Sequence, residues 1–540
     1  MTIETQIDPH SNEFRESRTD LEARISEFRS IETLVRSKSE EARAKLAGSS
    51  KLLPRERLDS LLDPEAPFLE IASLAGYKMH DDEDGSFAGG GLVSGVGFVS
   101  GVRCLVIVNN YTVKGGTISP TGLRKILRLH EIALANRLPL ITLAESGGAN
   151  LNYAAEVYID GARAFANQAR LSAAGIPQIT VVHGNATAGG AYQPGLSDVI
   201  VLIEGQSKMF LAGPPLVKAA TGEVATDEEL GGAAMHSRTS GTAEYLARND
   251  AEAIGIARKA VANLGWNEPL NVLGLRKRSN WIDPLYPADE LLGVIPTNSK
   301  KPYDMREVVA RLVDGSEFDE FKSELDSQTV CGRGHVFGRV CGFVGNNGPI
   351  TAKGAGKAAQ FIGLCEQTRT PVVFLHNTTG FMVGTEAEHS GIIRQGAKMI
   401  QAVANATVPK ISFVIGGSFG AGNYAMCGRG FDPRFIFSWP NARTAVMGGE
   451  QAGKVLRLIA EEKTRKSGQT IDDTKMSALE AKTAEQLDKS STALFSTAHL
   501  WDDGLIDPRD TRKVLGFVLD TCEEAEARRL QSISFGVPRH

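Results

Sequence analysis

Between Ser11 and about Ala47 the chain is dense in Glu, Arg and Lys, and Leu21, Ile25, Phe28, Ile31, Leu34 and Val35 recur at steps of three and four. That period predicts an amphipathic helix with its apolar stripe against a globular body. After Lys51 the texture changes. Short apolar runs (Cys104 to Val108, Leu140 to Leu143, Ile179 to Val182, Val199 to Leu202) alternate with helical stretches and glycine-rich turns. Alternation of this kind predicts an α/β architecture.

Self-comparison then divides the chain. NRLPLITLAESGG from Asn136 matches TRTPVVFLHNTTG from Thr368, and IPQITVVHGNATAGGAY from Ile176 matches VPKISFVIGGSFGAGNY from Val408. Both intervals, 136 to 368 and 176 to 408, are 232 residues. Two strand and turn units at one shift predict two homologous halves, and Lys125 falls on Lys357 at the same shift. The Pro-rich stretch from Asn280 to Tyr303 marks the junction. The expected division is a helical arm over 1–50, a first domain over 51–285 and a second over 286–540.

Composition narrows the class. With 540 residues the chain exceeds one compact core. A net charge of −5 supplies no field for nucleic acid or anionic lipid. The six cysteines lack CxxC spacing and sit mostly in apolar runs, which predicts reduced buried thiols and no zinc site. An acidic, polar start and the lack of any long uncharged apolar run predict a soluble, cytoplasmic protein without a membrane span.

The chemistry concentrates in the repeated turn. A strand running through glycines into a helix leaves the first helical N–H groups without intrahelical acceptors, at the positive end of the helix dipole. Small residues at Gly189, Gly190, Ala421 and Gly422 let a ligand approach the main chain, so each half predicts one oxyanion hole. The turns ESGGAN from Glu145 and NTTGFMVG from Asn377 predict the opposite walls. Phosphate-loop and zinc-protease signatures are absent, and His183 and His376, beside apolar strands, predict hydrogen-bonded core histidines. A catalytic reading therefore needs oxyanion stabilisation with little acid–base help from side chains.

FLAGPPLVKAATGE (Phe210 to Glu223), NTTGFMVG (Asn377 to Gly384), GAGNYAMCGRGFDPRF (Gly420 to Phe435), SWPNARTAVMGGEQA (Ser438 to Ala452) and LWDDGLIDPRDTR (Leu500 to Arg512) resemble the β subunits of biotin-dependent acyl-CoA carboxylases. Within that family the sequence is most similar to the 3-methylcrotonyl-CoA and geranyl-CoA carboxylases, from KLLPRERLDSLLDP at Lys51 nearly to the C-terminus. The resemblance implies two tandem crotonase-like (ββα-spiral) domains behind a helical arm. It implies carboxyl transfer from carboxybiotin to an acyl-CoA, with biotin and its ATP-driven carboxylation on a separate biotin carboxylase and carboxyl carrier α subunit. It also implies a hexamer of β subunits, whose active sites join the N-terminal half of one copy to the C-terminal half of another.

Carried onto this sequence, the resemblance gives Gly189 and Gly190 the thioester oxygen, and Ala421 and Gly422 the ureido oxygen of biotin. Gly147, Gly148, Ala149, Ala191 and Lys218 fall on the acyl-CoA side, and Thr379, Gly380, Phe381, Gly420 and Asn423 on the biotin side. No metal is implied. Because the ureido nitrogen acts as base, no protein base is required. VKGGTISPTGLRK from Val113 and ANLNYAAEVYIDGARAF from Ala149 depart from the family's pattern where the acyl chain runs, and their small residues favour a roomier pocket of the geranyl type. Propionyl-CoA, acetyl-CoA or a longer acyl-CoA is the next substrate reading; a crotonase-type hydratase or decarboxylase and a non-catalytic scaffold are the other classes.

Overall fold

The structure, a computed structural model, describes residues 1–46, 51–273, 280–297 and 301–537. The first helix spans Asn12–Glu40, and the Ser11 hydroxyl accepts from the Phe14 N–H at 3.2 Å, as an N-cap does. Phe14, Leu21, Ile25, Phe28 and Ile31 are buried, whereas Leu34 is exposed. The apolar stripe thus ends near Ile31. A short 3₁₀ helix, Glu41–Leu46, follows.

The chain forms two compact units. One comprises Met1–Arg29, Arg278–Thr497 and Trp501–Leu519; the other comprises Ser30–Lys277, Ala498–Leu500 and Asp520–His540. These units are cut differently from the sequence division at 50 and 285, because long-range polar contacts assign the termini. The Thr5 hydroxyl donates to Glu307 at 2.6 Å and the Met1 ammonium to the Phe318 carbonyl at 3.1 Å, within the first unit. In the second, Arg528 reaches the Trp266 carbonyl at 3.2 Å and Asn267 at 3.3 Å.

The unit holding most of the N-terminal half is built on β1 (Leu69–Glu70), β2 (Leu92–Val99), β3 (Val102–Asn109), β4 (Leu140–Ser146), β5 (Gln178–Thr187), β6 (Val199–Ile203), β7 (Lys208–Phe210) and β8 (Tyr245–Ala247). Their order is β1-β2-β3-β4-β5-β6-β8, with β7 paired to β5. β1 to β3 are antiparallel neighbours, and β3 through β8 pair in parallel. Val106, Val108, Ile141, Leu143, Ile179 and Val181 are fully or almost fully buried, which explains why these strands read as continuous apolar runs.

The other unit repeats the plan with β9 (Asp319–Glu320), β10 (Thr329–Val336), β11 (Arg339–Asn346), β12 (Val372–Thr378), β13 (Lys410–Phe419), β14 (Phe435–Ser438) and β15 (Arg443–Ala445). Its order is β14-β13-β12-β11-β10-β9, with β15 on β13. The 232-residue shift holds at atomic detail. It maps β4 onto β12, β5 onto β13 and the helix Pro120–Ala135 onto Ala352–Gln367, end for end. Leu140 pairs with Gln178 and Val372 with Lys410; the ladder is interrupted between Ala144 and Ser146 and again between His376 and Thr378. All six cysteines are free and buried. Among the described residues no helix is long and apolar enough to cross a membrane, and no cluster of His, Cys, Asp or Glu could hold a metal ion.

Candidate functional site

In each half the interrupted central strand turns sharply at its C-terminal end. The Ser146 hydroxyl accepts from the Gly148 N–H at 3.1 Å, and Thr378 does the same for Gly380 at 3.1 Å. Gly148 and Gly380 both have positive φ, 85° and 117°, which only glycine adopts readily. The Ile118 N–H donates to the Gly148 carbonyl and the Ile350 N–H to the Gly380 carbonyl, both at 2.9 Å. Sequence reading singled out the glycines here and missed the two hydroxyls that lock them.

The neighbouring strand enters the second turn. β5 leads through Ala188, at φ 50°, into the helix Gly189–Gly195; β13 leads through Gly420, at φ 53°, into Gly420–Ala425. The left-handed residue therefore recurs at the equivalent position, although Ala188 adopts it at a cost of about 1 kcal/mol or more. Gly189 and Gly190, and likewise Ala421 and Gly422, lie in the first turns of these helices, where N–H groups lack intrahelical acceptors. A Cβ on Gly422 would stand 2.8 Å from the Gly380 Cα, and one on Gly190 would stand 3.2 Å from the Ser146 Oγ. Each helix start is thus packed against the turn of the adjacent strand, as a two-sided backbone cradle requires.

A cavity of about 820 Å³, counting its open mouth, leads inward from the first cradle. Gly189, Gly190, Ser146 and Ala149 line it together with Ile118, Leu123 and Ile126, and with Val157, Gly161, Ala164 and Phe165. Apart from Ile126, those apolar residues lie in the segments from Val113 to Lys125 and from Ala149 to Phe165. The wall contains no Asp, Glu, Lys, Arg or Cys; His130 is its one titratable residue, and burial pushes that imidazole down to about 4.

The remaining expected residues fall in different places. Gly147 is exposed beside the mouth and Gly148 is buried in the turn. Ala191 packs into the core with Ala144, Val182 and Leu202, while Lys218 is exposed on the helix Pro214–Thr221, away from the cavity wall. In the other unit Thr379 is exposed and Phe381 packs against Ala352, Ala387 and Ile392. Asn423 Nδ2 donates to the Ser418 hydroxyl at 2.8 Å, and that hydroxyl meets His376 Nδ1 at 2.9 Å, so Asn423 is tied down within its own turn.

Beneath the first turn lies an ionic cluster with no sequence signal. Glu145, at the ladder interruption, is paired with Lys51, and its Oε2 lies 2.8 Å from Arg57 Nη2 at an angle outside hydrogen-bond geometry. Arg57 is fully buried and faces the Tyr111 ring at 4.8 Å. His183 Nδ1 meets Asp250 Oδ1 at 2.8 Å. Burial outweighs that carboxylate and holds His183 down at about 4, and burial holds His376 at about 3. Both histidines are neutral core residues, as the sequence suggested.

Comparisons with known proteins identify the family. The carboxyl transferase domain family matches residues 47–533. The chain is 45% identical over 525 residues to the methylcrotonoyl-CoA carboxylase beta chain of Dictyostelium discoideum, covering 96% of this chain and 88% of that one. It is 47% identical over 504 residues to the biotin-dependent 3-methylcrotonyl-coenzyme A carboxylase beta1 subunit of Mycobacterium tuberculosis, covering 93% of each. Among solved structures, the geranyl-CoA carboxylase beta subunit of P. aeruginosa matches at 59% identity with a TM-score of 0.94, covering 100% of both chains. The fold is accordingly the crotonase-like carboxyltransferase fold in two tandem copies. The chain belongs to the carboxyltransferase β subunits of the biotin-dependent acyl-CoA carboxylases, and within them to the methylcrotonyl-CoA and geranyl-CoA carboxylase type.

Proposed function

We propose that this subunit carboxylates a long, branched, unsaturated acyl-CoA of the geranyl type. The observation that carries the reading is the apolar cavity behind Gly189 and Gly190, whose hydrocarbon lining continues from Ile118 and Leu123 past Val157 and Gly161 to Ala164 and Phe165, as an acyl-chain compartment requires. The thioester oxygen is received by the N–H groups of Gly189 and Gly190, which stabilise the enolate as its charge develops. Ala421 and Gly422 offer the equivalent donors to a ureido oxygen, and the close packing of Gly422 on Gly380 keeps those N–H groups unobstructed by side chains. Carboxybiotin, carried by a biotinylated α subunit that spends ATP to charge it, supplies the carboxyl group and a nitrogen base. A wall without carboxylates or amines, whose single imidazole is depressed to about 4, supports a mechanism in which no side chain removes the substrate proton. The two cradles lie in separate units of one chain, and we assign the complete site to a first half of one copy and a second half of another, in a β hexamer.

The test is bicarbonate fixation by the holoenzyme, reconstituted with its biotinylated partner and ATP, on acetyl-, propionyl-, 3-methylcrotonyl- and geranyl-CoA. Geranyl-CoA is expected to have the highest kcat/KM. Highest turnover of propionyl-CoA would overturn the substrate assignment, and fixation on none of the four would overturn the activity. This chain alone is expected to hydrate no enoyl-CoA, which separates it from a crotonase-type hydratase.

A further inference from the structure

The lining of the acyl cavity is not uniform along its depth. β4 and the helix Pro120–Ala135 run in opposite senses, so the register of each fixes depth. Thr142 lies four residues before Ser146 on β4, roughly 13 Å inward at about 3.3 Å per residue. His130 lies seven residues past Leu123 on the helix, roughly 10 Å inward at about 1.5 Å per residue. Gln168, on the helix Ala154–Ala173, and Gln193, one turn into Gly189–Gly195, complete the inner wall. Near the mouth Asn109 and Ser146 stand among apolar residues and the middle is apolar; the inner end holds Ile107, in register with Thr142, together with His130, Thr142, Gln168 and Gln193.

The equivalent positions in the other half are Ile362, Phe374, Ile400 and Ala425; Ile362, Phe374 and Ala425 are buried in its core cluster and Ile400 packs, part-buried, against it. The fold therefore accepts hydrocarbon at every one of these sites. Two of the polar groups are engaged inside the wall: Gln168 Nε2 donates to the Gln193 carbonyl at 3.1 Å, and Gln193 Nε2 to the Thr180 hydroxyl at 3.3 Å. His130 is not. It is 4% exposed and neither ring nitrogen has a hydrogen-bond partner among the described residues; Nδ1 is sealed in, which leaves Nε2 as the nitrogen that a group in the cavity can reach. An unpaired buried imidazole nitrogen is destabilising unless something fills its hydrogen-bonding capacity.

We infer that the inner end of the cavity recognises a hydroxyl or similar hydrogen-bonding group at the far end of the acyl chain, and that His130 is its specificity-determining partner. The inference rests on the long-acyl reading above and narrows it to tail-oxygenated branched enoyl-CoAs. Burial keeps the ring neutral at physiological pH, so Nε2 meets such a group as donor or as acceptor according to the tautomer, and a hydroxyl can answer either.

The experiment compares geranyl-CoA with its 8-hydroxy derivative on the reconstituted holoenzyme, for the native chain and for His130→Leu and His130→Gln. The native enzyme is expected to prefer the hydroxylated substrate by about five- to tenfold in kcat/KM, the worth of one neutral hydrogen bond. His130→Leu is expected to reverse the order, and His130→Gln, which keeps a donor and an acceptor, to restore the native order in part. Carboxylation of geranyl-CoA with no gain from the hydroxyl and the same ratio in all three proteins overturns the inference alone. Turnover of 3-methylcrotonyl-CoA with neither long substrate accepted overturns the long-acyl reading and the inference with it.

Discussion

Gly161 is the position at which the acyl reading is most exposed to refutation. It lies on the helix Ala154–Ala173 and lines the middle of the cavity. A Cβ there would meet nothing nearer than Leu123 Cδ2 at 4.0 Å, so the backbone tolerates a side chain and the space beyond is the cavity itself. Gly161→Phe would stand a benzyl group across the path between Gly190 and His130. A geranyl chain carries roughly five more carbons than a methylcrotonyl group, and burial of each is worth about 0.8 kcal/mol, so excluding them removes about 4 kcal/mol of binding. That corresponds to about a 10³-fold fall in kcat/KM for geranyl-CoA. The five-carbon substrate, seated near Gly189 and Gly190, should lose less than about tenfold. The assay is initial-rate bicarbonate fixation with both substrates on native, Gly161→Ala and Gly161→Phe holoenzymes. Equal losses on both substrates would mean that the ring disturbs the cradle and not the chain path. An unchanged geranyl rate would show that the chain runs elsewhere.

Three further outcomes test the rest of the site. Gly422→Ala forces a methyl to within 2.8 Å of the Gly380 Cα, so the second cradle must open, stability should fall by about 1–3 kcal/mol, and kcat of the folded enzyme should fall by about 10²–10³; an unaltered kcat would remove Gly422 from the reaction. Arg57→Met leaves Glu145 and Asp250 in a buried pocket without the guanidinium, and breaking such a pair costs about 3–5 kcal/mol, readable as a lower urea midpoint; a shift under about 1 kcal/mol would show the cluster to be energetically idle. Acid should destabilise the fold through its core histidines. His183 and His376 are held at about 4 and about 3 against an ordinary 6.5, so between those values the unfolded chain binds protons that the native chain does not; the associated stability is whole above about 6.5 and declines as the pH falls toward 4. Melting temperatures from pH 8 to pH 4 check the sign, and His183→Gln with His376→Gln should flatten the slope.

How much of this was legible before any coordinates depended on whether a residue's role is local. The interval of 232 residues was visible because the interrupted strands, the glycine turns and the helix that precedes them are encoded within short windows. Gly189 with Gly190 and Ala421 with Gly422 could be paired on that ground alone. Ser146 and Thr378, the hydroxyls that cap the turns, sat inside the matched segments and were passed over, since Ser and Thr are equally at home in a solvated turn. The ionic cluster was beyond sequence reading. Lys51, Arg57, Glu145 and Asp250 are scattered over some two hundred positions, and only the folded chain makes them neighbours. The exchanged terminal segments, Met1–Arg29 and Asp520–His540, were invisible for the same reason.

The comparison of the halves also explains why the space open in the first is filled at the equivalent positions of the second. Both place the same helix behind the same pair of strands, so each would form a similar space if its side chains were small. In the second half Ala355 and Ala358 replace Leu123 and Ile126, which by itself would enlarge the space, yet Phe374, Ile362, Ile400 and the neighbouring Phe361 and Met399 fill it. Phe381, at the position of Ala149, packs against the same cluster. The first half keeps Thr142, His130, Gln168 and Ala149 there, and a cavity persists. Close packing is the default for a buried space lined by hydrocarbon, because an empty one forfeits dispersion contacts and hydrophobic burial. The half that fills its space needs only a backbone cradle at the surface, as a planar ureido group would require. The half that leaves it open gives up core stability, as the proposed admission of an acyl chain requires.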